Sequence, residues 1–218
     1  AYRLKQNTPD VSIIITERGN TLENRHCPAG KNNGCVHCKT CSITSGFAGA
    51  GAFSDGKFNL GTAYGGTLGE ELGDDVANQY INEVDKILNK YCTSGIPKVY
   101  KSNEALKLKC IQNNLRLLDM NVKHLGTDNN YLTMQNLINA LGEHGVEMYS
   151  FYDCDTVEKT ENGYMLDYTN GEKIAAEKII IATGRGGANF VANFCRSFGV
   201  HMRSNYVDIG VRVEMKDI

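Results

Sequence analysis

Apolar positions change their spacing several times along the chain, and each change marks an element. Residues 11–16, VSIIIT, form an unbroken, mostly β-branched run of the kind buried on both faces of a parallel sheet, and it closes on Glu17-Arg18-Gly19. A helical turn precedes it, patterned by Tyr2 and Leu4 and halted by Asn7, Pro9 and Asp10. Between 46 and 66 the stretch GFAGAGAFSDGKFNLGTAYGG keeps no periodicity. Glycine is too frequent there for a helix or strand interior, so a loop built for close backbone approach is expected. From about Leu68 to Leu118 the pattern is helical: Val76, Tyr80, Ile81, Val84, Ile87 and Leu88 recur at three- and four-residue steps. That stripe reads as core, and Asp74, Asp75, Glu83 and Asp85 between its members read as a solvated face. TSGIPKVY breaks the run before a second helix with Ala105, Leu106, Leu108 and Ile111. KHLGTDNN, 123–130, reads as a turn cluster opening a third helix, YLTMQNLINALGEHG, capped by Gly145.

The remainder reads as strands. VEMYSF is one, and DTVEKT, GYMLDYT and EKIAAEKIIIATG follow, parted by turns at Glu161-Asn162-Gly163 and Thr169-Asn170-Gly171. This predicts a three-stranded antiparallel meander feeding one buried apolar strand over 179–182, which ends in the small-residue turn Thr183-Gly184-Arg185-Gly186-Gly187. A helix over ANFVANFCRSFG then leads to a last strand, VDIGVRVEM. The expected architecture is α/β: a mostly parallel, Rossmann-like sheet with the antiparallel meander as a crossover and the helices of 68–118 as an insertion.

Composition fits a globular chain. With 218 residues, 41% hydrophobic and 22% charged, it can bury one sizeable core or two small ones. Lys and Arg number 23 against 25 Asp and Glu, so no field covers the surface that would collect nucleic acid or an anionic membrane. No run of about 18 apolar residues occurs to span a membrane, and the first residues lack the charged-then-apolar pattern of a leader. A cytoplasmic location with no membrane partner is expected. There the eight cysteines would stay reduced, and the scattered Cys92, Cys110, Cys154 and Cys195 read as packing residues.

Candidate chemistry gathers in two places. Glu17 ends a parallel-type strand, where dinucleotide-binding βαβ units carry an acid that accepts hydrogen bonds from ribose hydroxyls. Glycines 46, 49 and 51 would let successive amides face an anionic or planar ligand, with Ser54, Asp55 and Lys57 alongside. A solvated strand end and a glycine-rich linker are the plainer alternatives. The second place is CPAGKNNGCVHCKTCS, residues 27–42. Cys35-x2-Cys38-x2-Cys41 matches the first three positions of a bacterial ferredoxin run, whose fourth would fall on Ser45. Cys27 can serve as the fourth thiolate instead. Tetrahedral zinc would accept the same four sulfurs, with His26 or His37 able to replace one. Thiols that exchange electrons with a neighbouring cofactor, and unligated loop cysteines, are the competing readings.

Taken together, the strand ending in ERG, the cysteine cluster, GFAGAGAFSDGK, HLGTDN, the meander, IIIATGRGG and VDIGVRVE resemble a family of bacterial FAD-dependent dehydrogenases of uncharacterised substrate, related to the glutathione-reductase-type flavoproteins. The resemblance spans essentially the whole chain. It implies a two-nucleotide-fold flavoprotein with FAD lying across the sheet, passing a hydride or an electron pair between FAD and an unidentified organic substrate. On that basis Glu17 would take the adenosine ribose, and Arg18 and Arg25 would lie near the pyrophosphate. The 49–57 loop, with Gly49, Gly51, Ser54, Asp55 and Lys57, would run beside the ribityl chain and flavin. Cys154 would meet the adenine through its backbone, and Gly184 and Arg185 would line the same cleft. No catalytic acid or base is singled out; Asp55, Lys57, Asp128 and Arg185 are the polar residues expected to reach the flavin. The implied domains are 1–64, a partial FAD-binding domain; 65–122, the helical insertion; 123–190, the FAD-binding domain continued; and 191–218, the start of a substrate domain. The resemblance also places a first strand and its G-x-G-x-x-G turn before Ala1, so an internal fragment that folds but binds FAD poorly is expected. A reading of a different class is a zinc-knuckle module holding RNA or a protein, with Lys31, Lys39 and Arg25 near phosphates. Those three charges make a thin patch, and the glycine loop is left without a purpose. A scaffold with an empty cofactor site is the third reading.

Overall fold

The run at 11–16 becomes β1, Ile13–Glu17, which pairs in parallel with β5, Val146–Ser150, from Ile13 against Val146 to Glu17 against Ser150. The structure is a computed structural model and describes residues 1–31, 34–64, 66–118, 120–204, 209–211 and 213–214. The chain divides into two compact units, Ala1–Cys154 with Tyr168–Gly171, and Asp155–Asp167 with Glu172–Ile218.

In the first unit, α1 (Tyr2–Asn7) precedes β1 and buries Tyr2. The Tyr2 ring meets Tyr91, at the end of α3 (Asp74–Tyr91), edge-on at 5.7 Å, and His144 at 6.1 Å. Lys90 Nζ donates to its hydroxyl at 2.9 Å. That bond lowers the Tyr2 pKa from its ordinary value, with Tyr91 adding to it. The third predicted helix forms as α5, Thr127–Glu143, which leads directly into β5. Gly145 reverses the chain with φ +70°, a left-handed conformation that glycine adopts without a steric penalty, so its role at the helix end matches its sequence signal. Asn136, midway along α5, donates to the Tyr91 carbonyl at 3.0 Å and ties that helix to the end of α3.

A small antiparallel sheet is not legible in the pattern. It comprises β2 (Lys57–Leu60), β3 (Val99–Tyr100) and β4 (Asn121–His124), in the order β2-β4-β3. Each strand has two to four residues, too few for a period of two to emerge, and each hides in a stretch whose residue types suit a loop or turn. The central strand explains Asp85. Lys123 of β4 has a side chain only 4% exposed, and its Nζ meets both Asp85 carboxylate oxygens, at 2.6 and 2.8 Å, and Asn89 Oδ1 at 3.1 Å. Asp85, expected on a solvated face, is therefore half of a buried pair between α3 and β4. The expected apolar stripe is correspondingly less covered than predicted: Tyr80 and Val84 of α3 are exposed, as are Leu106, Leu108 and Ile111 of α4 (Glu104–Gln112). A short helix, α2 (Leu68–Leu72), precedes α3.

The predicted meander is present as β6 (Cys154–Thr160), β7 (Gly163–Tyr168) and β8 (Lys173–Ala176), in that spatial order. Its ends at Cys154 and Tyr168 belong to the first unit, where the buried Tyr168 donates from its hydroxyl to Thr16 Oγ1 at 3.2 Å. In the second unit Tyr164 of β7 packs on Phe198, which stacks at 4.3 Å on Phe194 of α6 (Ala188–Ser197). The buried strand expected at 179–182 does not form, and Ile180 is 80% exposed. An apolar β-branched run becomes a strand only where neighbouring strands receive its amides and carbonyls, and among the described residues none pairs with it. Of the expected last strand, 207–215, residues 207, 208, 212 and 215 lie outside the described residues, and 209–211 and 213–214 form no strand, with Ile209, Val211 and Val213 exposed. The chain is thus mixed α/β, with β1–β5 as the one parallel pairing among the described residues and with two antiparallel sheets. No helix among the described residues is long and apolar enough to cross a membrane.

Candidate functional site

The carboxyl end of β1 and the glycine loop form one hydrogen-bonded piece. Glu17 Oε1 accepts from the amides of Gly19 and Gly46, both at 2.9 Å, and Oε2 accepts no hydrogen bond among the described residues. Gly19 is required by this approach, because a side chain there would strike the backbone of Ser45 and Gly46. Arg18 donates through Nε and one terminal nitrogen to the buried Ser45 hydroxyl at 3.3 and 3.0 Å. The Phe47 amide donates to the Asn20 carbonyl at 3.0 Å.

Arg25, expected beside a pyrophosphate, is instead 3% exposed and committed to backbone. Its Nε donates to the Ser42 carbonyl at 2.9 Å, and its terminal nitrogens to Phe47 (2.7 Å), Gly49 (2.8 Å) and Ile43 (2.8 Å). The guanidinium also lies 4.7 Å over the Phe53 ring. Burial pushes its pKa down from the ordinary value while Glu17 and Cys41 draw it back up; an arginine nonetheless stays charged.

The far side of the loop is fastened to α5. Asn130, 2% exposed, donates from Nδ2 to the Gly51 carbonyl at 2.7 Å and reaches the Ala52 and Ser54 carbonyls and Ser54 Oγ at 3.4 Å. Leu125 and Gly126 donate backbone amides to Gly56 and Asp55, both at 3.0 Å. Sequence reasoning passes over Asn130, because an asparagine inside TDNN carries the same signal as its turn-forming neighbours. Ser54 Oγ donates to the Gly51 carbonyl at 2.8 Å, and Asp55 Oδ2 faces His124 Nε2 at 3.3 Å and Lys57 Nζ at 3.6 Å, all on an exposed edge. Asp128 is exposed on the first turn of α5.

The glycines of the loop differ in what demands them. Gly56 has φ +66°, and a methyl group on it would stand 2.8 Å from Asn130 Cβ and 2.9 Å from Leu125 Cβ. Gly56→Ala is therefore expected to lower stability by about 1–3 kcal/mol, read as a shifted urea midpoint. Gly49 has φ +59°. Gly51 has neither a left-handed φ nor any neighbour within 4 Å of such a methyl group. Among the described residues nothing requires a glycine there.

Cys154 opens β6, half-buried. Gly184, with φ +60°, leads into a single 3-10 turn, Arg185–Gly187, at the start of α6; both Gly184 and Arg185 are exposed and belong to the second unit.

Cys27, Cys35, Cys38 and Cys41 are exposed free thiols that line one hollow of about 250 Å³ together with His37. Among the described residues no three His, Cys, Asp or Glu side chains are grouped to hold one ion as they stand. The Cys41 thiol is held below its ordinary pKa, first by the Thr44 hydroxyl, then by the Thr44 and Ile43 amides, with Arg25 adding to them. A second hollow, about 500 Å³ at 107–118, is lined by Lys107, Arg116, Asn114 and aliphatic residues, with no cysteine, histidine or acid among them. No protein-family model matches the chain, and no curated protein matches it.

Proposed function

We propose that the chain carries the adenosine-binding end of an FAD-dependent oxidoreductase, within a Rossmann-like sheet of the FAD/NAD(P)-binding type. The observation that carries this reading is the divided carboxylate of Glu17. One oxygen is fixed by two backbone amides and the other is uncommitted, at the carboxyl end of a parallel strand, where open α/β sheets bind their ligands. A ribose hydroxyl needs an acceptor already held in place, which Oε1 anchoring provides for Oε2. Gly51 supports the reading, since a glycine with no internal reason suits a backbone that a ligand must approach closely.

The residues present fit the ribose end of the cofactor better than its pyrophosphate. Glu17 would hold the ribose, and the backbone at 49–51 would lie against the nucleotide, while Arg25 is spent on the loop itself. When bound, FAD supplies the isoalloxazine that takes up or gives a hydride or electron pair. The chain's own part is to bind the nucleotide and orient it.

Titration with FAD, read by quenching of flavin fluorescence, tests the assignment. Saturable but weak binding is expected. Glu17→Gln keeps an oxygen for the two amides and removes the charge. A charged hydrogen bond is worth about 1.5–3 kcal/mol, so this variant should weaken binding roughly tenfold or more. Gly51→Ala should also weaken binding while leaving the thermal midpoint unchanged. Absence of saturation at millimolar FAD, or equal affinity in both variants and the parent, rejects the reading.

A further inference from the structure

The four thiols at 27–41 are unlike the other four cysteines, which are half-buried and scattered through the elements. They are exposed yet gathered on one hollow of about 250 Å³. Volume and spacing say what such a hollow suits. A single zinc draws its sulfurs to about 2.3 Å from a common centre. A cubane places each thiolate on a separate iron, so its sulfurs surround a larger body and stand further apart. The spacing points the same way: Cys35-x2-Cys38-x2-Cys41 is the run that wraps a cubane in bacterial ferredoxins, while structural zinc sites are built mainly from separated pairs.

In that run the first three cysteines share one cluster and the fourth serves another, so the remaining thiolate comes from elsewhere in the chain; Ser45, at the fourth position, is buried with its hydroxyl taken by Arg18. Cys27 lines the hollow together with the other three cysteines. We propose that Cys27, Cys35, Cys38 and Cys41 hold a four-iron, four-sulfide cluster. Two ferrous and two ferric ions, four sulfides and four thiolates assemble to a dianion, the four thiol protons passing to buffer, with no electron drawn from the protein. The amides of Thr44 and Ser45 donate to the Cys41 carbonyl at 3.2 and 2.8 Å, which fixes the turn that follows the last of the four cysteines. Cluster assembly does not require the nucleotide pocket, so FAD titration and cluster reconstitution fail separately.

The test is anaerobic reconstitution of the whole chain with equal ferrous and ferric iron and sulfide, followed by desalting. The expected product contains about four irons and four acid-labile sulfides per chain, shows broad visible absorbance that bleaches with dithionite, and resists alkylation at these four cysteines. Cys35→Ser and Cys38→Ser should abolish the chromophore, and Cys27→Ser should reduce the iron content. Cys92→Ser should leave it intact. Alkylation mapping on the unaltered chain decides the matter even where a variant misfolds. One zinc per chain with no sulfide retained, or all four thiols freely alkylated after reconstitution, overturns the proposal.

Discussion

Arg25→Ala is expected to lower stability by roughly 4 kcal/mol, on the scale of two charge-assisted hydrogen bonds of about 1.5–3 kcal/mol each. The side chain satisfies four carbonyls, those of Ser42, Ile43, Phe47 and Gly49, and covers the Phe53 ring. Truncation leaves those acceptors facing a gap. Water entering the gap recovers part of the loss, so the figure stays below the sum of four bonds. Arg25→Lys should recover little of it, because a single ammonium cannot present five donors in a planar fork to carbonyls on several sides. Urea unfolding followed by far-UV circular dichroism gives the free energy. A change below about 1 kcal/mol for Arg25→Ala would mean that the loop does not rest on this residue.

The second large effect belongs to Lys123. Lys123→Met removes the cation from a pair in which Asp85 is only 16% exposed, and a buried charge deprived of its partner costs about 3–5 kcal/mol. The double variant Lys123→Met with Asp85→Leu should regain most of that loss, since a buried ion pair replaced by apolar groups of similar volume is often neutral. The sign of the coupling is what matters: if the double variant is as unstable as the sum of the two single ones, the pair does not interact and β4 is held to α3 by something else. Denaturation of all four proteins under one set of conditions completes the cycle.

Elements long enough to show their period are legible in the order of residues alone. α3, α5 and α6 follow apolar spacing, β1 follows its continuous apolar run, and the meander follows two Asn-Gly turns. What pattern does not reveal depends on tertiary partners. β2, β3 and β4 are strands because they meet one another, and 179–182 is not a strand because no described neighbour meets it. The site divides along the same line. Glu17 and the glycine loop are recognisable from residue type and place, and the fold joins them through Gly46. The commitments of Arg25, Asn130 and Asp85 are not, because residue type says that a side chain can donate or accept but not that a fold has already taken up its capacity.

Arg25 also sits between the two pieces of chemistry. Two of its bonds end on Ser42 and Ile43, the residues immediately after the last clustered cysteine, and two on Phe47 and Gly49 at the head of the glycine loop. One rigid cation therefore measures the distance between the two segments, and a shift in either changes the strain on the other. Linkage makes any such influence reciprocal: an occupant of the cysteine segment changes the loop's affinity for its ligand by the same free energy with which that ligand changes the occupant's.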